Sequence, residues 1–123
     1  MKEKKLASIV LMQTSVAKPE ELAKLNVNIL ARLHGVSAPN LSRAFKKHYS
    51  IRLGAFLQYL RIVAFEDLMK KNPYMHINAA LKILDIRSSS HFGQQYKKCR
   101  HMTPYEMALK CQLEKLLQER TSA

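Results

Sequence analysis

The sequence predicts an all-α protein built from two helix-turn-helix units joined by a long connecting helix, about seven helices in all. Three observations predict it. Apolar residues recur at helical spacing and strand-like alternation is absent. The 3 glycines and 4 prolines stand where helices would start or stop. One pattern, a short apolar helix, a tight turn, a Ser able to cap and a second helix, occurs twice about 50 residues apart. The first copy runs from Leu30 to Lys47 and the second from Ile77 to Lys98. They end alike, in Phe45-Lys46-Lys47 and in Tyr96-Lys97-Lys98.

The chain opens with Met1-Lys2-Glu3-Lys4-Lys5 and an apolar stretch that imitates a signal peptide. Ser8 and Gln13 interrupt it, and Leu6, Ile9, Val10 and Gln13 share one helical face, so it reads as a first core helix. Pro19-Glu20-Glu21 begins another, with Pro early and acids beside the positive end of the dipole. A short helix near 27–34 follows. Gly35 then supplies a turn residue able to take positive φ, Ser37 a cap, and Ala38 to His48 the next helix. From Leu53 to Lys71 runs the longest helical stretch, with Phe56, Leu57, Leu60, Val63, Ala64 and Leu68 on a wide apolar face and Asn72-Pro73 as its stop. It reads as a rigid spacer. Helices near 76–84 and 88–99 form the second motif. Thr103-Pro104-Tyr105-Glu106 is a capping-box signature that starts the last helix. That helix continues through Leu109, Leu113, Leu116 and Leu117, either as a dimer or partner surface or packed back on the second motif. The expected divisions are 1–52, 53–72 and 73–123.

Of 123 residues, 47% are hydrophobic, enough for a real core. Lys and Arg number 21 against 9 Asp and Glu, a net charge of +12. Between Asn28 and Lys110 there are 14 basic residues and 4 acidic ones, so the excess lies on the duplicated segment. A solvated surface would explain lysines, but not the scarcity of acids within the motifs. The pattern points to nucleic acid, double-stranded DNA first. No nucleophile-base pair, carboxylate cluster or phosphate loop is visible, so no catalytic residue and no cofactor is expected. Cys99 and His101 lie close together but lack a second ligand pair, so no metal site is expected. With no CxxC pair, Cys99 and Cys111 read as reduced thiols of a cytoplasmic protein. No uncharged run approaches the ~20 residues of a membrane span.

Taken together, Leu30-Ala31, Gly35-Val36-Ser37, Leu41-Ser42-Arg43, Phe45-Lys46-Lys47 and Arg61, then Ile77, Phe92, Tyr96-Lys97-Lys98 and Thr103-Pro104-Tyr105-Glu106, resemble the DNA-binding domain of AraC/XylS transcription regulators. The resemblance covers roughly residues 28–108. It departs from the family pattern at Asp85-Ile86, where the second turn usually has Gly and an aromatic, and at Ala80-Leu81, where Ile-Ala is usual. Ser50 and His101 stand where Gly often follows each reading helix. The resemblance implies a transcription regulator, either stand-alone or a fragment of a longer one, with RNA polymerase as a further partner.

In a helix-turn-helix, the exposed N-terminal half of the second helix faces base edges. Leu41, Ala44 and Phe45 are the expected buried side of the first reader, leaving Pro39, Asn40, Ser42 and Arg43 for bases. Arg43 suits guanine and Asn40 adenine, with a phosphate clamp or a structural ion pair as the alternative for Arg43. In the second reader Phe92 and Tyr96 point inward. Ser89, Ser90, His91, Gly93 and Gln94 point outward, Gln94 suiting adenine. Ser37 and Ser88, at helix starts, and Lys46, Lys47, Lys97 and Lys98 are placed for phosphates. One chain then suffices for about two turns of DNA, with the last helix as a potential dimer surface. Two other readings remain: a basic helical protein binding nucleic acid without sequence preference, and a protein-interaction adaptor.

Overall fold

A computed structural model describes residues 2–122. Among the described residues are eight α-helices and no strand: α1 (Glu3–Ser15), α2 (Pro19–Leu22), α3 (Val27–Leu33), α4 (Ala38–Tyr49), α5 (Leu53–Lys71), α6 (Ile77–Ile83), α7 (Ser89–Arg100) and α8 (Pro104–Ser122). Among the described residues no helix is long and apolar enough to cross a membrane. The chain forms two compact units, Met1–Arg61 and Ile62–Ala123, divided inside α5.

In the first unit α1 packs on α4, and α3 packs on α4 as in a helix-turn-helix. Leu6, Ala7, Val10 and Thr14 are the inward residues of α1. Thr14 is the buried polar member, and its hydroxyl donates to the Val10 carbonyl at 2.8 Å, which removes the cost of burying it. Gln13, expected on the core face, instead lies 2.9 Å from the His34 ring through its Oε1. The Asn26 side chain caps α3 by accepting from the Ile29 N–H at 2.8 Å. Gly35 has φ 67°, and the turn closes through Gly35 N–H to Arg32 O and Val36 N–H to Ala31 O, at 3.2 and 3.0 Å. The Ser37 hydroxyl then caps α4, accepting from the Asn40 N–H at 3.2 Å. Leu41, Ala44 and Phe45, spaced by three and four, form the buried stripe of α4. The Phe45 ring lies 5.4 Å from that of Phe56 and 5.0 Å from that of Tyr49. Burying Phe45 alone stabilises the unit by roughly 1.5–3 kcal/mol. Arg61 donates from Nη2 to the Leu25 carbonyl at 2.7 Å, tying α5 to the loop before α3.

The second unit repeats the sequence of cap, turn and cap, while its α6 and α7 both pack on α8. The N-cap of α6 is His76, whose Nδ1 accepts from the Asn78 N–H at 3.1 Å. Its turn closes through Asp85 N–H to Lys82 O and Ile86 N–H to Leu81 O, at 3.1 and 2.9 Å, the same pair of bonds as at Gly35. Asp85 occupies the left-handed region at φ 54°, as the departure from Gly implies. Ser88 caps α7 by accepting from the His91 N–H at 3.1 Å. Phe65 of α5 packs edge-on against Phe92 and Tyr96 of α7, with centroids 5.1 and 5.7 Å apart. The Thr103 hydroxyl accepts from the Glu106 N–H at 3.1 Å and donates to the Glu106 carboxylate at 3.2 Å, which starts α8 where the capping signature predicts. Met107, Ala108 and Cys111 are buried, whereas Leu109, Leu113, Leu116 and Leu117 are exposed. Burial, followed by the nearby Glu114, pushes the Cys111 thiol up from its ordinary range.

The expected face of α5 needs correction. Leu57 and Ala64 are buried, but Phe56, Leu60, Val63 and Leu68 are half-buried. The fully inward residues include Leu53, Ile62, Phe65 and Met69. The unit boundary falls inside α5, and the single stripe leaves out Leu53 in the first unit and Ile62, Phe65 and Met69 in the second.

Candidate nucleic-acid interface

Neither α4 nor α7 contains an acidic residue. Each carries its polar residues in the N-terminal half and a pair of lysines in the last turn, where cations also complement the negative end of the helix dipole. On α4 the side chains of Pro39, Asn40, Arg43, Lys46 and Lys47 are exposed, and Ser42 is half-buried. Arg43 Nη2 donates to Asn40 Oδ1 one turn earlier. The two residues expected to face bases are therefore bonded to each other, with one Arg43 Nη2 hydrogen and the Asn40 carbonyl oxygen engaged in that bond. Ser37 is exposed. Its oxygen accepts the cap bond, and the hydroxyl hydrogen is a further donor.

Lys47 is not unaccompanied. Its Nζ lies 3.3 Å from Glu3 Oε2, both side chains being mostly exposed. Glu3, Leu6, Val36, Asn40, Arg43, Ala44 and Lys47 line one cleft, so the start of α1 borders the reading helix. Sequence reasoning passed over Glu3 because it lies 44 residues before Lys47, outside any motif.

On α7 Ser89, Ser90, His91, Gln94, Lys97 and Lys98 are exposed and Gly93 is half-buried. Gln94, Lys97, Lys98 and His101 line an open hollow, so the residue expected to face bases and two expected to face phosphates border one surface. The exposed Ser88 hydroxyl caps the helix as Ser37 does. Asp85 in the preceding turn has Arg87 Nε 4.0 Å away, both side chains being well exposed. Ser50 and His101 end the two readers in left-handed conformation, with φ 61° and 62°. Each donates its N–H to the carbonyl four residues back, Lys46 or Lys97, at 2.8 Å. The two readers thus share N-cap, turn and C-terminal geometry.

A further group was not legible in the motif. Glu66 of α5 accepts from Tyr96 Oη at 2.9 Å and from Arg100 Nε and Nη2 at 2.9 and 2.8 Å. The Glu66 side chain is only 13% exposed. Burial first, and the hydrogen bond to Glu66 second, push the Tyr96 phenol well above its ordinary range, so it stays a donor.

This scaffold is a double helix-turn-helix in which α4 and α7 share cap and turn geometry, the fold of an AraC-type DNA-binding domain. The chain superposes on the crystal structure of a transcriptional regulator from Chromobacterium violaceum, described as an AraC-type DNA-binding domain-containing protein. The TM-score is 0.67 at 20% identity, covering 89% of this chain and 91% of that one. In sequence it is similar to the HTH-type transcriptional regulator MtrA of Neisseria gonorrhoeae, 29% identical over 94 residues, or 76% of this chain. The matched stretch spans 30% of that relative's length. No family model matches the chain.

Proposed function

We propose that the protein is a sequence-specific, double-stranded DNA-binding transcription regulator whose two reading helices enter successive major grooves. The observation that carries this is the pair of acid-free helices, α4 and α7, each with exposed polar residues in its first half and two exposed lysines near its end. In such a helix the first half meets base edges and the lysines meet phosphates. Arg43, with donors beyond the one it gives to Asn40, suits the O6 and N7 of guanine, and Gln94 suits adenine. Pro39, Ser42, Ser89, Ser90 and His91 complete the two base-facing surfaces. Ser37, Ser88, Lys46, Lys47, Lys97 and Lys98 hold the backbone.

The similarity to an HTH-type transcriptional regulator favours this reading over a packaging protein that binds any duplex. One chain serves two half-sites, RNA polymerase is the expected further partner in transcription, and the protein acts in the cytoplasm without catalytic chemistry.

Selection of bound fragments from random duplex DNA tests the proposal. Enrichment of a two-part motif, with unrelated duplex competing at least a thousandfold less well, supports it. No enrichment, with equal competition by unrelated duplex, replaces it with the sequence-independent reading.

A further inference from the structure

We propose that Glu66, although it faces the interior of its unit, sets the sequence preference of the second reading helix by fixing the rotation of α7. The inference rests on the base-reading role of α7 argued above. Phe92 and Tyr96 hold α7 through ring contacts with Phe65. Such contacts set how closely the helix approaches and favour an edge-on orientation by only about 0.5–1.5 kcal/mol per pair, a broader constraint on rotation than directed hydrogen bonds to a charged group.

The Glu66 carboxylate adds direction. It takes the Tyr96 hydroxyl and the Arg100 guanidinium, residues one turn apart on α7, through three hydrogen bonds of 2.8 to 2.9 Å. Two attachment points along the axis hold both rotation and axial register. Charge-assisted, two-pronged Arg–carboxylate pairing is the strong and geometrically exacting form of the hydrogen bond. With 13% of the Glu66 side chain and 33% of the Arg100 side chain exposed, water competes poorly for it.

At about 100° per residue, Ser90 and Gln94 fall on the side of α7 opposite Phe92 and Tyr96, and both are exposed. A roll of about 20° at a side-chain radius of roughly 5–6 Å moves a contact atom by about 2 Å. That is enough to break a base-edge hydrogen bond. Lysine contacts to phosphate tolerate the same roll, since a flexible point charge re-aims along a backbone that is charged everywhere. Loss of the Glu66 grip therefore separates preference from affinity.

The test uses the whole chain and duplexes from the random-DNA selection, with the second half or the first half of the selected motif scrambled. Wild type is compared with Glu66→Gln, with Arg100→Lys, which keeps the charge but loses the two-pronged grip, and with Tyr96→Phe, which removes a single oxygen. Thermal melts accompany each variant, and Tyr96→Phe decides the matter if Glu66→Gln does not fold. The expected result is at least a fivefold loss of discrimination against the scrambled second half, with first-half discrimination and random-duplex affinity within twofold of wild type. Folded variants that keep full second-half discrimination, or that lose both halves alike, overturn the role of Glu66. If wild type itself shows no second-half preference, the base-reading function fails, and this inference with it.

Discussion

Replacing Asp85 by Gly isolates the cost of the one turn in which this chain departs most from its first motif. Asp85 holds φ 54°, where Gly35 holds 67° in the equivalent turn, and both turns close through the same two backbone bonds. A left-handed conformation costs an ordinary L residue roughly 1–2 kcal/mol, and Asp at the low end because its short polar side chain tolerates it. Gly removes that strain but adds unfolded-state entropy worth about 0.4–1 kcal/mol. The side chain contributes little in return, since its partner Arg87 is 4.0 Å away with 92% of its side chain exposed. The balance lies between neutral and a gain of about 1 kcal/mol, equivalent to a rise in Tm of up to about 5 °C for a domain of this size. A thermal melt reads it directly. Removal of a negative charge beside Ser89 and the rest of the reader should also tighten duplex binding at low salt, an advantage that shrinks as salt screens it. A loss of stability above about 1 kcal/mol would refute the reasoning, because it would mean that the carboxylate anchors the turn.

Other outcomes follow from the same geometry. If about 6 to 8 phosphates are neutralised, the logarithm of the binding constant falls against the logarithm of salt with a slope of roughly −5 to −7; an affinity indifferent to salt would contradict the electrostatic role of the lysines. Glu3→Gln releases Lys47 from its 3.3 Å partner and should tighten binding to any duplex about two- to threefold at low salt, in line with the small worth of an exposed pair. The gain should vanish when Lys47→Ala is also present. Phe65→Ala, at a fully buried ring that touches Phe92 and Tyr96, should cost about 3–5 kcal/mol in urea unfolding. A cost under 1 kcal/mol would mean that the second unit is not built around that ring.

What was legible in the sequence was what is encoded locally. Ser37, Ser88 and Thr103 announce helix starts by residue type and spacing, and each accepts the backbone N–H three residues on. Positive φ was likewise legible at Gly35 from its residue type, and the family resemblance singled out Asp85, Ser50 and His101 as positions where Gly is usual; all four have positive φ. Long-range pairings were not legible. Glu66 with Arg100 and Glu3 with Lys47 join residues 34 and 44 positions apart, and in a chain with 21 basic residues composition does not say which cation a carboxylate will hold. His76 was missed as a cap because an imidazole nitrogen is an uncommon acceptor there. A single stripe along α5 includes the buried Leu57 and Ala64 but leaves out Leu53, Phe65 and Met69, for a tertiary reason: Leu53 belongs to one unit, Phe65 and Met69 to the other. The bond between Asn40 and Arg43, by contrast, has a local signal in their i, i+3 spacing.

Sequence reading by α4 and α7 is tested most directly by the positional effect of Arg43→Ala and Gln94→Ala on the DNA site selected by the intact chain. Affinities are measured for that site and for each of its single-base-pair variants. The prediction is that each substitution costs about 1–3 kcal/mol on the selected site and abolishes discrimination at one base pair, Arg43 in one half and Gln94 in the other. Equal weakening of the selected site and unrelated duplex by both substitutions would contradict it and reduce the two helices to backbone clamps.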